Sequence, residues 1–181
     1  MRPRVFVHGK SFVPYLQEVS IQERIQALGR EIDRDYDGKD PLFLAVLNGS
    51  FMFASDLLKQ ITIDCEVSFV KLASYSGMQS SGQVTSLIGL SESLKGRHVV
   101  ILEDIIDTGN TMMKLLPALE ALSPATLRIC TFLLKREALQ HAIEPDYIAF
   151  EVPEIFFLGY GLDYDGRGRN LPGLYQLEPE K

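Results

Sequence analysis

Glu103, Asp104 and Asp107 place three carboxylates within five residues of the stretch VVILEDIIDTGNTM, Val99 to Met112. The last of them opens a run of small polar residues, Asp107, Thr108, Gly109, Asn110 and Thr111. Such residues favour a tight turn, and Gly109 lets the main chain approach a ligand closely. If a helix starts just beyond, its free amides favour an anion, and Thr108 and Thr111 add hydroxyl donors. This arrangement suits a phosphate monoester and needs no lysine. The acids, however, repel the anion that the amides attract.

One ligand reconciles the two. Adjacent Glu103 and Asp104 repel each other unless something cationic or rich in hydroxyls sits there. Vicinal ribose hydroxyls meet that need, because ionised carboxylates only accept hydrogen bonds. A magnesium ion on the same sugar, a hard cation that prefers oxygen, offsets the charge. The stretch therefore reads as a sugar-phosphate site, with hydroxyls at Glu103 and Asp104 and the phosphate at residues 107–111. An ordinary helix-capping turn uses similar residues, so it is the acid pair that sharpens the reading. The turn lacks G-x-x-x-x-G-K-[ST] and G-x-G-x-x-G, which disfavours nucleotide triphosphatase and dinucleotide sites.

Elements able to hold these residues alternate along the chain. SIQERIQALGREIDRDYDG reads as a helix, with a capping box from Ser20 and Glu23 and one apolar face of Ile21, Ile25, Leu28 and Ile32. LFLAVL, Leu42 to Leu47, is a continuous apolar run expected for a strand buried on both faces. It ends in Asn-Gly-Ser, and Phe51 to Ile61 looks helical. CEVSFVKLA, HVVILE, TLRICTFLL and DYIAFEV are further strand candidates. NTMMKLLPALEAL reads as a helix that Pro117 should kink or cut short. Alternation of this kind implies an α/β domain with a largely parallel sheet, and ligands gather beyond the carboxyl ends of such strands. Both Asn48-Gly49-Ser50 and the acidic stretch fall there. The segment Ser74 to Val84, rich in Ser and Gly, reads as a mobile lid or a solvated excursion.

The 181 residues and 46% apolar content suit a single domain over residues 1–181. A net charge of -6 argues against a nucleic-acid partner held by phosphate neutralisation. Cys65 and Cys130 read as free thiols, and His8, His98 and His141 have no ligand spacing for zinc. No stretch approaches a membrane span, so a cytoplasmic setting is the expectation.

VVILEDIIDTGNTM closely resembles the phosphoribosyl-pyrophosphate signature of the type I phosphoribosyltransferases, and EDIIDTG is especially similar to the hypoxanthine-guanine members. The resemblance extends over nearly the whole chain. It implies that family's fold, a central largely parallel sheet flanked by helices, with a small hood from the two chain ends, partly residues 151–181, over the base site. It implies phosphoribosyl pyrophosphate, hypoxanthine and guanine as substrates in purine salvage, Mg2+ as cofactor, and a homodimer or homotetramer. Glu103 and Asp104 then engage the ribose and its metal, residues 107–111 hold the sugar phosphate, and Asp107 is the acid/base beside the purine nitrogen.

The same resemblance assigns the remaining residues. Lys135 matches the lysine that reads the six-oxo group, and Phe156 the aromatic platform under the purine; Phe157 and Leu158 belong to the same base-binding segment, with the backbone around Leu158 on the base edge. Asp163 matches an acid associated with the base and the metal on pyrophosphate. Arg169, with Arg167 as the alternative, lies near the leaving pyrophosphate, and Ser74 and Tyr75 match the lid dipeptide. Asn48 and Gly49 fall in a pyrophosphate loop that begins Leu-Lys-Gly in many relatives. Asn48 has lost that lysine's charge, so main-chain amides, in an unusual peptide geometry, are left to meet the anion. Two rival functions stay open: transfer to xanthine or another base, and a nucleotide-sensing regulator of the same fold.

Overall fold

The computed structural model describes residues 3–73 and 86–179; the lid segment with Ser74 and Tyr75 lies outside them. A six-stranded sheet forms the centre. Its strands are β3 (Leu42–Val46), β4 (Glu66–Ala73), β5 (Ser86–Ile88), β6 (His98–Ile106), β7 (Thr126–Leu134) and β8 (Tyr147–Glu151), in the order β5-β4-β3-β6-β7-β8. All neighbours are parallel except β5, which runs antiparallel to β4 at one edge.

Among the described residues three α-helices cover this sheet: α1 (Glu18–Tyr36), α2 (Phe51–Leu58) and α3 (Asn110–Glu120). Strand alternation sorts the core between its two faces. Phe43, Ala45, Val100 and Leu102 pack with Ile21, Ile25, Leu28 and Ile32 of α1 and Phe53 and Leu57 of α2. Leu42, Leu44, Val46, Val99 and Ile101 pack with Met112, Leu115 and Leu119 of α3. A strand lined on both sides must be apolar throughout, which is why all five residues of β3 are buried.

The connections place the site. From β3 the chain crosses through α2 to β4 on one side, and from β6 it crosses through α3 to β7 on the other. The carboxyl ends of β3 and β6 therefore border the crevice where the winding reverses, the usual ligand position in such sheets. A second, antiparallel sheet in the order β1-β2-β10-β9 joins the chain ends: β1 (Val5–Val7), β2 (Lys10–Leu16), β9 (Phe157–Leu158) and β10 (Leu174–Leu177). This is the hood that the resemblance implies.

Several local expectations are corrected. α1 starts at Glu18 with Gln17 as its cap and no side-chain capping bond, so Ser20 and Glu23 form no capping box. The Ile21 amide already closes the first turn on the Gln17 carbonyl at 3.1 Å, which puts Ser20 inside the helix. α2 stops at Leu58 rather than Ile61, where Gln60 turns back onto the Leu57 carbonyl and packs against Gly29. Pro117 does not end α3, which runs on to Glu120. Pro117 and Met113, whose carbonyl loses its partner, both lie on the exposed face, where water can meet that carbonyl. Cys65 and Cys130 are free thiols, as expected. No helix among the described residues is long and apolar enough to cross a membrane.

Candidate active site

β6 carries the acids. Pairing with β7 continues through Glu103↔Thr131 and Ile105↔Leu133 to Ile106↔Leu134, so Glu103 and Asp104 lie within the strand rather than at the Glu103 end expected from sequence. Glu103 is only 6% exposed, and its Oε2 has no hydrogen-bond partner. Burial drives its carboxyl well above the ordinary carboxylate range, and the neighbouring Asp104 charge pushes the same way. Asp104 is also raised, chiefly by burial; the Ile105 amide at 3.0 Å and the Arg169 charge oppose the shift. A buried acid with an unused oxygen is a site kept for a ligand that brings positive charge or hydrogen-bond donors.

That arrangement has a signature in pH-dependent stability. Folded Glu103 holds its proton more tightly than the unfolded chain does, so stability falls as pH rises from the ordinary carboxylate value towards the raised one. Glu103→Gln removes this slope. Urea midpoints of the variant should gain on wild type as pH is raised from 4 to 8; parallel curves would show that Glu103 is not the strained group.

Gly49 explains how Asp104 is held. A Cβ built on Gly49 would overlap Asp104 Oδ2, so the carboxylate occupies the space where any other residue would have a side chain. On the far side, a Cβ on Gly161 would overlap the Gly49 carbonyl oxygen. The loop after β3 is thus clasped between the strand acid and the segment after β9. Ser50 anchors it, donating from Oγ to the Val46 carbonyl at 2.6 Å, and the Leu47–Asn48 peptide is cis. Asn48 itself is exposed.

Gly161 belongs to a small polar cluster. Its carbonyl accepts from Arg169 Nη1 at 2.7 Å, and its amide donates to the Arg169 carbonyl at 2.9 Å. Arg169 Nη2 pairs with Asp163 Oδ1 at 2.7 Å, while Asp163 Oδ2 accepts from the Gly166 amide. Arg167 is exposed, so of the two arginines it is Arg169 that faces the acids. Tyr160 pins the segment to α2: its hydroxyl donates to Asp56 Oδ2 at 2.8 Å, and its ring packs on Phe132. Among the described residues no group of three or more acids, histidines or cysteines is gathered for a metal, so Glu103, Asp104 and Asp163 do not converge as a ready-made cluster. Asp163 is turned to Arg169 and Gly166 instead.

At the end of β6 the chain turns as expected. Gly109 caps α3 at φ 83°, and Asn110 is the first helical residue. Gly109 has no side chain to cap this helix, the Asn110 amide makes a long bond to Thr108 Oγ1 at 3.4 Å, and the first turn holds no acid, so the helix start carries no internal negative charge. Thr108 is tied by its carbonyl to the Gln140 amide, and Thr111 is exposed. Beside the turn, Lys135 Nζ donates to Asp107 Oδ2 at 2.6 Å. The lysine side chain is 9% exposed against 45% for the aspartate, so a buried cation reaches out to a half-open acid. Sequence reasoning treated these two as separate roles; their contact depends on the β6–β7 register and has no local signal.

The hood supplies an aromatic. Phe156 is 42% exposed, and its ring meets Tyr164 edge-on at 5.6 Å and Phe12 at 6.2 Å. Those two supporting rings were missed in the sequence. The side chains of Phe157 and Leu158 are buried in the core and cannot offer a face to a ligand. Their main chain differs. Leu177 donates to the Phe156 carbonyl at 2.9 Å, and β9 is the edge of its sheet. Antiparallel alternation then turns the amide and carbonyl of Phe157, opposite Gln176, towards the free edge. Phe157 rather than Leu158 therefore has main-chain groups to spare.

Known proteins are similar in sequence and fold. A family model described as "Phosphoribosyl transferase domain" matches residues 15–165. The "Bifunctional protein TilS/HprT" of Listeria innocua is 42% identical over 166 residues, which are 91% of this chain and 26% of that protein, so the chain spans about a quarter of its length. The "Hypoxanthine-guanine phosphoribosyltransferase" of Lactococcus lactis is 40% identical, and the match covers 91% of this chain and 90% of that one. A crystal structure of a hypoxanthine phosphoribosyltransferase from Staphylococcus aureus superposes with a TM-score of 0.84 at 35% identity, covering 92% of this chain and 91% of that chain. The chain belongs to the phosphoribosyltransferase family, in its hypoxanthine-guanine group.

Proposed function

We propose that this protein transfers the phosphoribosyl group of phosphoribosyl pyrophosphate to hypoxanthine or guanine, releasing pyrophosphate, in purine salvage. The observation that carries the proposal is the contact of Asp104 with Gly49 at the switch point. It sets the acid pair against the loop after β3, on the strand from which the turn and α3 follow. The ribose hydroxyls are assigned to Glu103 and Asp104, and the 5-phosphate to the 107–111 turn. The pyrophosphate is assigned to the main chain at Asn48 and Gly49, with Arg169 beside it.

The purine lies on Phe156, whose half-exposed ring gains roughly 1–3 kcal/mol from stacking a base. The Phe157 main chain meets the base edge, and Lys135 donates to the six-oxo group. A cationic donor suits that carbonyl and rejects the amino group of adenine. As the bond from the anomeric carbon to pyrophosphate oxygen breaks and the bond to purine nitrogen forms, Asp107 takes the proton that nitrogen sheds. Lys135, already on Asp107, has further N–H donors for the base carbonyl.

The oxygen-only donor set, with Glu103 Oε2 unused, fits a hard divalent cation. Magnesium bound with the sugar diphosphate would be met by Glu103, Asp104 and, after release from Arg169, Asp163, and it supplies charge neutralisation for the leaving group. Ser74 and Tyr75 belong to the lid in this proposal. Exposed Phe51, Val67 and Phe69 offer apolar surface for a homodimer or homotetramer, which light scattering at assay concentration would read.

A base panel with phosphoribosyl pyrophosphate and magnesium tests the proposal. Hypoxanthine and guanine should yield IMP and GMP with equimolar pyrophosphate, and adenine and uracil should not react. Turnover confined to xanthine, uracil or adenine, or no nucleotide at all, would overturn it. Lys135→Ala should raise KM for hypoxanthine and guanine about tenfold or more, the worth of a charged hydrogen bond, and KM for phosphoribosyl pyrophosphate far less. Equal rises for all three would remove the base-reading role.

A further inference from the structure

The loop that follows Lys135 closes one side of the 107–111 turn. The Gln140 amide donates to the Thr108 carbonyl at 3.0 Å. A Cβ on Gly109 would lie 2.8 Å from Ile143 Cδ1, 3.6 Å from Leu139 Cδ2 and 3.7 Å from His141 Cδ2. The loop is therefore packed directly against the residue that caps α3. His141 brings a polar atom to that contact: its Nε2 lies 2.8 Å from Asn110 Oδ1.

The chemistry of that bond has one direction. An amide oxygen only accepts, so Nε2 carries the hydrogen and His141 is the donor. Asn110 has a dipolar side chain at the first position of α3, beside the outward amides. Turned one way it offers two N–H donors to an anion there; turned the other way it offers an oxygen that repels it. Holding the oxygen fixes the sign. A turn without a lysine depends on such neutral donors more than a basic one does.

We propose that His141 is a positioning residue of the phosphate-monoester cradle: by holding Asn110 Oδ1 it turns the Asn110 amide nitrogen to the 5-phosphate of phosphoribosyl pyrophosphate. The inference rests on the assignment of residues 107–111 to that phosphate. It adds a side chain from outside the signature stretch, on a loop that sequence spacing does not connect to it. His141 touches no reacting atom, so its removal weakens one substrate selectively.

Steady-state kinetics of the full chain with phosphoribosyl pyrophosphate and hypoxanthine decide it. His141→Ala should raise KM for phosphoribosyl pyrophosphate about fivefold, the scale of one net hydrogen bond, and KM for hypoxanthine by less than about twofold. His141→Gln, which keeps an N–H donor, should recover most of the loss. His141→Ala added to Asn110→Ala should cost little beyond Asn110→Ala alone, because the histidine acts through that amide. An unchanged KM for phosphoribosyl pyrophosphate, equal rises for both substrates, or losses that simply add would overturn the proposal. If the alanine variant fails to fold, His141→Leu fills the same space without the donor and gives the same comparison. A wild-type protein that makes no nucleotide would strike the functional assignment; wild-type turnover with an unaltered variant would strike only His141.

Discussion

Gly49→Ala should lower kcat/KM for phosphoribosyl pyrophosphate by about 100-fold or more while the protein stays folded. The added methyl would take the place of Asp104 Oδ2, and the carboxylate cannot slip aside freely. It is half-buried on β6 and accepts from the Ile105 amide at 3.0 Å. Nor can the loop rise, because the Gly49 carbonyl already abuts Gly161, which is tied at both main-chain groups to Arg169. Overpacking of this kind costs roughly 1–3 kcal/mol of stability, which a well-formed α/β core tolerates. The functional loss is larger because the displaced group is the one assigned to the ribose, and a misplacement of about 1 Å can cost 100-fold in rate. Kinetics with a thermal melt on the same samples would read both effects. A variant with kcat/KM within about fivefold of wild type would mean that the Asp104 position is not needed.

Asp107→Asn should cut kcat by about 100- to 10,000-fold, the usual worth of a positioned acid or base, with KM for phosphoribosyl pyrophosphate changed only a few-fold. The substitution is nearly isosteric and leaves the turn and the α3 amides in place. It removes the group that accepts the purine proton and takes the negative partner from Lys135, whose side chain is 9% exposed. Near-wild-type turnover would exclude Asp107 from the proton transfer. A large rise in KM with kcat preserved would instead make it a binding group.

Much of this was legible in the sequence. Apolar runs found all five parallel strands, and TLRICTFLL coincides with β7 because a strand buried along most of its length carries its own signal. The acids and the turn were readable because they are contiguous. β6 was cut short at Glu103, since charges read as a return to solvent; only pairing with β7 carries the strand on to Ile106. The strands β1, β2 and β10 had no pattern of their own. β1 and β10 are short and β2 contains Pro14; β2 and β10 pair across the two chain ends, and β1 pairs with β2. The hood was therefore expected from resemblance alone.

Contacts between distant segments were the least legible part. Gly49 against Asp104, Lys135 on Asp107 and His141 on Asn110 each need the register of two elements, which no local spacing encodes. The pairing of Arg169, rather than Arg167, with Asp163 is likewise absent from the glycine-rich sequence.

The most direct test is a crystal structure with magnesium and phosphoribosyl pyrophosphate bound. The account predicts ribose hydroxyls within hydrogen-bond reach of Glu103 and Asp104, with the 5-phosphate on the amides of residues 107–111. A sugar seated away from the acid pair, or a phosphate away from the start of α3, would contradict it.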